Sequence, residues 1–203
     1  MLGLVDVADL AVRLGYQTDD LHLMGQLQVA IADVGAAIET YCQTSFQPTT
    51  STRLYNGTDI ATLSLKDFTR TVSGVRVDYG DGVFVALTGW ALQPSNPRRK
   101  DGAGNPLYTY IVLKPSADIL VFPHGVANIE VAGTFGMTKL PAQVIAALAM
   151  GVRHWFNLRD YDETKAVNSG AGRLIEEARD VDYLPTAARN LLSTYVYRGF
   201  DNS

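Results

Sequence analysis

Between Val131 and Arg159 the hydrophobic period changes, and that change limits the possible folds more than any other stretch. Val131 and Ala132 end a segment that alternates as a strand does, and a glycine-bearing turn follows. From Pro141 onward Val144, Ile145, Leu148, Val152, Trp155 and Phe156 recur at steps of three and four. A two-residue period belongs to strands and a 3.6-residue period to helices. Pro141 suits a first helical position, where its missing N–H has no intrahelical partner to lose. So wide an apolar stripe needs a surface to pack on.

Two other segments offer one. Near the start, Asp6 can cap a helix in which Val7, Leu10, Ala11 and Leu14 share a face, and Gly15 is placed to end it. A longer helix is expected from about Thr18 to Tyr41, with Asp19 and Asp20 in its first turn beside the positive end of the helix dipole. Its stripe is Met24, Leu27, Ile31, Val34, Ile38 and Tyr41, broadened by Leu23, Ala30 and Ala37. Gly25 and Gly35 read as points of close helix approach. At the other end of the chain Leu184-Pro185 opens a last helix carrying Ala188, Leu191, Leu192, Tyr195 and Val196. Between it and the helix that Pro141 opens, 160–172 is polar and without a period, and 173–180 is charged and weakly helical.

The middle of the chain alternates. Pro48 and the Thr/Ser cluster Thr49–Thr52 punctuate it. Short Val-, Ile-, Thr- and aromatic-rich runs then predict strands at 53–55, 60–65, 72–79, 83–87, 108–113, 119–122 and 128–132. Asn56-Gly57, the segment Tyr79–Gly82 and Pro115–Asp118 read as turns. Residues 94–106, with three prolines, two glycines and Arg98-Arg99-Lys100, read as an exposed, mobile loop. The order of parts predicts an α+β fold. Residues 1–48 and 133–203 form a helical bundle frame, and an antiparallel β lobe of residues 49–132 is inserted in it.

Composition narrows the function. With 17 Lys and Arg against 21 Asp and Glu, the net charge is −4. Phosphate neutralisation by basic side chains supplies most non-specific affinity for DNA, so this balance argues against general DNA binding. A single cysteine, Cys42, excludes an intrachain disulfide and a cysteine-rich metal site. No basic start leads into an apolar run, so no signal peptide is expected. Nor is there an uninterrupted apolar stretch of the roughly 18 residues that a membrane span takes, and a soluble protein with no membrane partner is expected.

Catalysis needs converging groups, and the sequence offers few. His22, His124 and His154 are scattered and fall in no metal-binding motif. Asp160, Asp162 and Glu163 could hold a divalent cation, but they lack the spacing of an EF-hand loop. Gly170-Ala171-Gly172 has neither the preceding strand nor the lysine of a phosphate loop. These residues point to no enzyme, no metal and no cofactor. Two features suit contact with a partner. Arg98, Arg99 and Lys100 are the one tight basic run. Tyr195, Tyr197, Arg198 and Phe200 bring to the end of the chain residue types enriched in interface cores, and the same aromatics could instead fold onto their own core.

Four phrases taken together resemble the head–tail connector, or adaptor, proteins of tailed bacteriophages. The long helix runs into Ile38–Phe46, with Tyr41, Ser45 and Phe46 at the family's positions. Leu54–Gly57 begins the strand-rich insertion. Val131–Gly136 leads to Leu140-Pro141, and Leu184-Pro185 opens the helix that ends near Arg198. The likeness covers both helical flanks, about two thirds of the chain. It implies a structural protein of the virion neck, assembled in the host cytoplasm without catalysis or cofactor. It also implies a homo-oligomeric ring, dodecameric on the portal, that extends the DNA channel and passes DNA on without specific binding. Portal protein lies on one side and a stopper or tail-completion protein on the other. Carboxy-terminal segments engage the portal in this family, which makes Tyr195, Tyr197, Arg198 and Phe200 the expected portal contacts. The inserted lobe is larger than in the simplest members, so a neighbouring neck component, a stopper or tail-completion protein, stays open. Two further readings compete with the resemblance: a DNA-binding module using Arg98, Arg99 and Lys100, and a metal-dependent hydrolase using Asp160, Asp162 and Glu163.

Overall fold

Asp6 starts the first helix by the means its position suggests. Its Oδ1 accepts the N–H groups of Ala8 and Asp9 at 2.9 and 3.5 Å, which satisfies donors that the first turn leaves free. Helix α1 (Val7–Leu14) ends at Gly15 in the left-handed region, φ 81°. The computed structural model describes residues 4–93, 100–169 and 183–196; the side chains of Lys66 and of 159–169 lie outside that description.

Helix α2 (Leu21–Cys42) starts later than its sequence suggests. Asp20 is its cap and not part of the first turn: the residue is extended, and its Oδ1 accepts from His22 and Leu23 N–H at 3.0 Å each. Leu27, Ala30, Ile31, Val34, Gly35, Ile38 and Cys42 are buried along one face. Helix α3 (Ala142–Ser169) follows Pro141 and fully buries Val144, Ala147, Leu148 and Val152. It passes close to α2 at Gly151, where an added Cβ would lie 2.4 Å from Val34 Cγ1. Gly25, read as such a point, has nothing within 4 Å of an added Cβ. α3 also runs on through residues read as an irregular polar linker. Nothing between Arg159 and Ser169 is glycine or proline, and extending a nucleated helix needs no apolar face of its own. Helix α4 (Thr186–Leu192) follows Pro185 and buries Ala188 and Leu192. The segments read at 170–182 lie outside the described residues.

The second unit is an antiparallel sheet. Contacts divide the chain into Met1–Gln43 with Pro141–Val196, the helical unit, and Thr44–Leu140, the sheet unit. Six strands make the sheet: β1 (Thr49–Gly57), β2 (Thr62–Asp78), β3 (Phe84–Ala86), β4 (Trp90–Gln93), β5 (Tyr108–Leu113) and β6 (Gly125–Phe135). Their order is β1-β6-β2-β5-β4, with β3 on β2. β2 joins two runs read as separate strands. Its first part pairs with β5 and its later part with β6, and register shifts near Thr69–Gly74 let it serve both. Alternate residues of β5 and β6, among them Ile111, Leu113, Ile129, Val131 and Phe135, point into a core shared with Leu63, Leu65, Val75, Val77 and Phe122.

Four local expectations need correction. Thr49–Thr52 belong to β1, paired with Phe135 back to Ala132, because β-branched threonine suits an exposed edge strand. Asn56-Gly57 is no turn but the end of that strand. Gly57 is needed there because a Cβ would stand 1.8 Å from Pro123 O. Residues 119–122 form no strand; Phe122 alone bridges to Ile60. In their place Trp90–Gln93 pairs with Leu113 back to Tyr110, a strand of four residues too short to carry a visible period.

Candidate assembly surfaces

The described part of the basic loop is a turn anchored by Asp101. Asp101 is 4% exposed. Its carboxylate accepts the N–H groups of Ala103 and Asn105 at 3.0 and 2.8 Å, the Asn105 side chain at 3.1 Å and the Thr138 hydroxyl at 2.7 Å. Burial works against the charged form, but these donors outweigh it and hold the carboxyl below its ordinary pKa. Gly102 N–H donates to Lys139 O at 2.7 Å. Lys100 bridges to Pro106 at the base of this turn and is exposed. Arg98 and Arg99 lie outside the described residues.

At the other end of the chain, Tyr195 is 6% exposed, and its hydroxyl lies 3.2 Å from Gln143 Oε1 on α3. Its ring is part of the helical unit's own core. Tyr197, Arg198 and Phe200 lie outside the described residues, as do the side chains of Asp160, Asp162 and Glu163.

The remaining chemical candidates do not converge. Among the described residues no three His, Cys, Asp or Glu side chains are grouped to hold a metal. His22 pairs with Gln26 on α2, the two Nε2 atoms 2.6 Å apart. His124 is exposed, and its backbone N–H donates to Asp59 Oδ1 at 2.8 Å. His154 is half-buried on α3. Burial, with the Glu39 carboxylate adding to it, pushes the Cys42 thiol up to about 12, so at neutral pH it stays protonated and unreactive.

Two apolar surfaces escaped the sequence reading. One is a loop cluster of the sheet unit that exposes Ile60 (46%), Leu120 (76%), Val121 and Val126 (84%). It is stiffly held. Asn56 Oδ1 accepts from Ala127 N–H, Asn128 Oδ1 from Gly57 N–H, and Asn128 Nδ2 donates to Pro123 O, each at 2.8 Å. Asp59 and Ala127 take the left-handed backbone at φ 57° and 54°, a conformation that persists in non-glycine residues only where surroundings impose it. The other is a pair of exposed residues on α2, Leu21 (87%) and Val29 (52%). Both residues lie off the buried stripe, and an apolar residue off the stripe is the signal that marks such a face.

No family model and no curated protein matches the sequence. Solved structures do. A chain in the neck of an empty gene transfer agent particle, computed with C6 symmetry, aligns at a TM-score of 0.56 and 15% identity, over 100% of this chain and 94% of that one. A chain in the virion of a native gene transfer agent particle gives 0.56 and 16%, over 99% and 94%. One in the neck of the native particle, computed with C12 symmetry, gives 0.50 and 18%, over 99% and 93%. At such identities the likeness is one of fold, and over essentially its whole length this chain shares the fold of chains found in gene transfer agent particles.

Proposed function

We propose that the chain is a structural component of the neck of a phage-like particle, and within the neck its adaptor. Copies form a ring beneath the portal, extend the DNA channel and join head to tail. They carry out no reaction and hold no cofactor. One observation carries this reading: the fold matches a particle-neck chain over 100% of this chain and 94% of that one. The C6 and C12 symmetries of the matched necks support a cyclic assembly. The net charge of −4 suits a channel through which DNA must slide without sticking.

Tyr197, Arg198 and Phe200 bear on the portal. Arg98, Arg99 and Lys100 reach towards a neighbouring neck protein, and the Asp101 turn holds the base of their loop.

Mass photometry of the pure protein, alone and with portal protein, tests the proposal. A ring in solution, or a monomer that becomes one on the portal, is the expected result. A protein that binds a preformed adaptor ring and not the portal would be a stopper. No ring and no binding to any neck protein would end the reading.

A further inference from the structure

We propose that Asn56 is a site of spontaneous deamidation that the folded sheet unit holds shut, with Asn128 as the restraint. The inference is independent of the ring reading. Asn or Asp is followed by Gly at three places in the chain, Asn56-Gly57, Asp81-Gly82 and Asp101-Gly102. In an open chain such pairs are labile. The glycine nitrogen attacks the side-chain carbonyl carbon and a new N–C bond forms. Ammonia leaves from Asn, or water from a protonated Asp, taking the nitrogen's proton with it. Water then opens the cyclic imide at either carbonyl, giving Asp or an isoaspartate whose main chain is one methylene longer. Glycine favours the attack because no Cβ crowds the nitrogen and the backbone turns freely.

Each of the three glycines is required where it stands. A Cβ at Gly57 would lie 1.8 Å from Pro123 O and one at Gly102 2.2 Å from Leu140 O, and Gly82 holds φ 78°. The fold that requires them also ties up each attacking nitrogen. Gly57 N–H donates to Asn128 Oδ1 at 2.8 Å, Gly82 N–H to Asp78 Oδ1 at 3.0 Å and Gly102 N–H to Lys139 O at 2.7 Å. The groups under attack are held as well. Asn56 Oδ1 accepts Ala127 N–H at 2.8 Å and Asp81 Oδ1 accepts Val83 N–H at 2.9 Å. Burial raises the Asp101 carboxyl, but its donors outweigh that and keep it ionised, a poor target for the nitrogen.

Asn56 differs from the two aspartates. Its amide cyclises at neutral pH without prior protonation, and the residue is exposed to water. Both of its restraints come from one dipeptide, Ala127-Asn128. Asn128 is 8% exposed, and its Nδ2 donates to Pro123 O at 2.8 Å, which fixes its Oδ1 on Gly57. Attack on Asn56 therefore requires this loop to open first, and the conversion rate follows the open population. Isoaspartate at 56 would lengthen the main chain just before Gly57 pairs with Gly125, and so undo the end of β1.

The full chain, folded or unfolded in guanidinium chloride, is incubated at mildly alkaline pH. Peptide mapping by mass spectrometry reads the amide-to-acid change at Asn56, and an isoaspartyl methyltransferase assay reads isoaspartate. Asn56 should convert at least tenfold more slowly in the folded protein; equal rates would overturn the proposal. Asn128→Ala takes the acceptor from Gly57 N–H. It should speed Asn56 conversion about tenfold and leave Asp81 and Asp101 as they are in the wild type. A thermal melt and Trp90 fluorescence show whether this variant folds. A folded variant in which Asn56 converts no faster would take the restraint away from Asn128 and end the inference. If the variant unfolds, amide hydrogen exchange at Gly57 of the wild type decides. Slow exchange supports the restraint, and exchange at the rate of an unfolded chain overturns it. None of these outcomes depends on ring assembly, so the neck reading stands or falls separately.

Discussion

The two units are held together in different ways. In the sheet unit, polar side chains pin the loops from within. Asp78 takes the N–H groups of Gly80, Asp81 and Gly82, Asp118 takes Thr88, Asp101 takes its own turn and Thr138, and Asn128 joins two loop backbones. In the helical unit, apolar faces meet closely, as at Gly151 and Val34, and Trp155 Nε1 donates to Asp33 Oδ2 at 3.2 Å. Pinned loops hold their shape while still exposing apolar side chains such as Leu120 and Val126. Apolar faces hold only where they meet, and on α2 Leu21 and Val29 stay exposed.

The two tryptophans allow the comparison to be tested unit by unit, since Trp90 lies in β4 and Trp155 in α3. Phe135→Ala should have the largest effect. The ring is 0% exposed, with the Arg53 guanidinium 3.9 Å over it, and its loss should cost about 3–5 kcal/mol. Urea unfolding followed through Trp90 in a Trp155→Phe background should show it; an unchanged midpoint would mean that β6 does not hold this core together. Gly151→Val comes next, at about 2–3 kcal/mol from overpacking against Val34, followed through Trp155 in a Trp90→Phe background. Asp101→Ala should cost about 2 kcal/mol by stranding the donors it now pairs.

Acid should loosen the same turn. The folded pKa of Asp101 is depressed, so its stabilisation is present above the ordinary carboxylate value of about 3.9 and is lost as pH falls through the lower folded value. Asp101→Asn should flatten that part of the pH dependence of the Trp90 signal. Gly25→Ala should have the smallest effect and the opposite sign. The added methyl meets nothing within 4 Å, so the isolated subunit should gain about 0.5–1 kcal/mol from helix propensity. A loss would show that this face is already covered in the single copy.

Which features were legible follows from how far away their causes lie. Asp6 and Gly15 mark α1 because cap and terminator act within a few residues. The stripe of α3 was readable because its partner selects one face of a regular period. The Asp101 turn was hidden by loop-like composition, although its bonds to Ala103 and Asn105 are local, and its tie to Thr138 lies 37 residues on. Gly57 looks like a hairpin residue until Pro123 is placed against it. Gly25 and Gly35 looked alike in sequence, but Gly35 is buried and Gly25 is not, and only packing tells them apart. Of the surface residues, Tyr195 was legible as a choice between core and contact, and the structure puts it in the core. Leu21 gave no sign, because a lone apolar residue at a helix start is ordinary until its surroundings prove empty.

From the sequence alone came the α+β class, the helical ends and alternating middle, the cap and terminator of α1, and the starts of α3 and α4 after Pro141 and Pro185, all set by period and by residues acting on their own backbone. The tertiary structure decided that two predicted strands are one, that Trp90–Gln93 pairs at all, which glycine lets helices meet and which face of α2 stays open. Each of these depends on what stands opposite a residue, and that is settled by segments far along the chain.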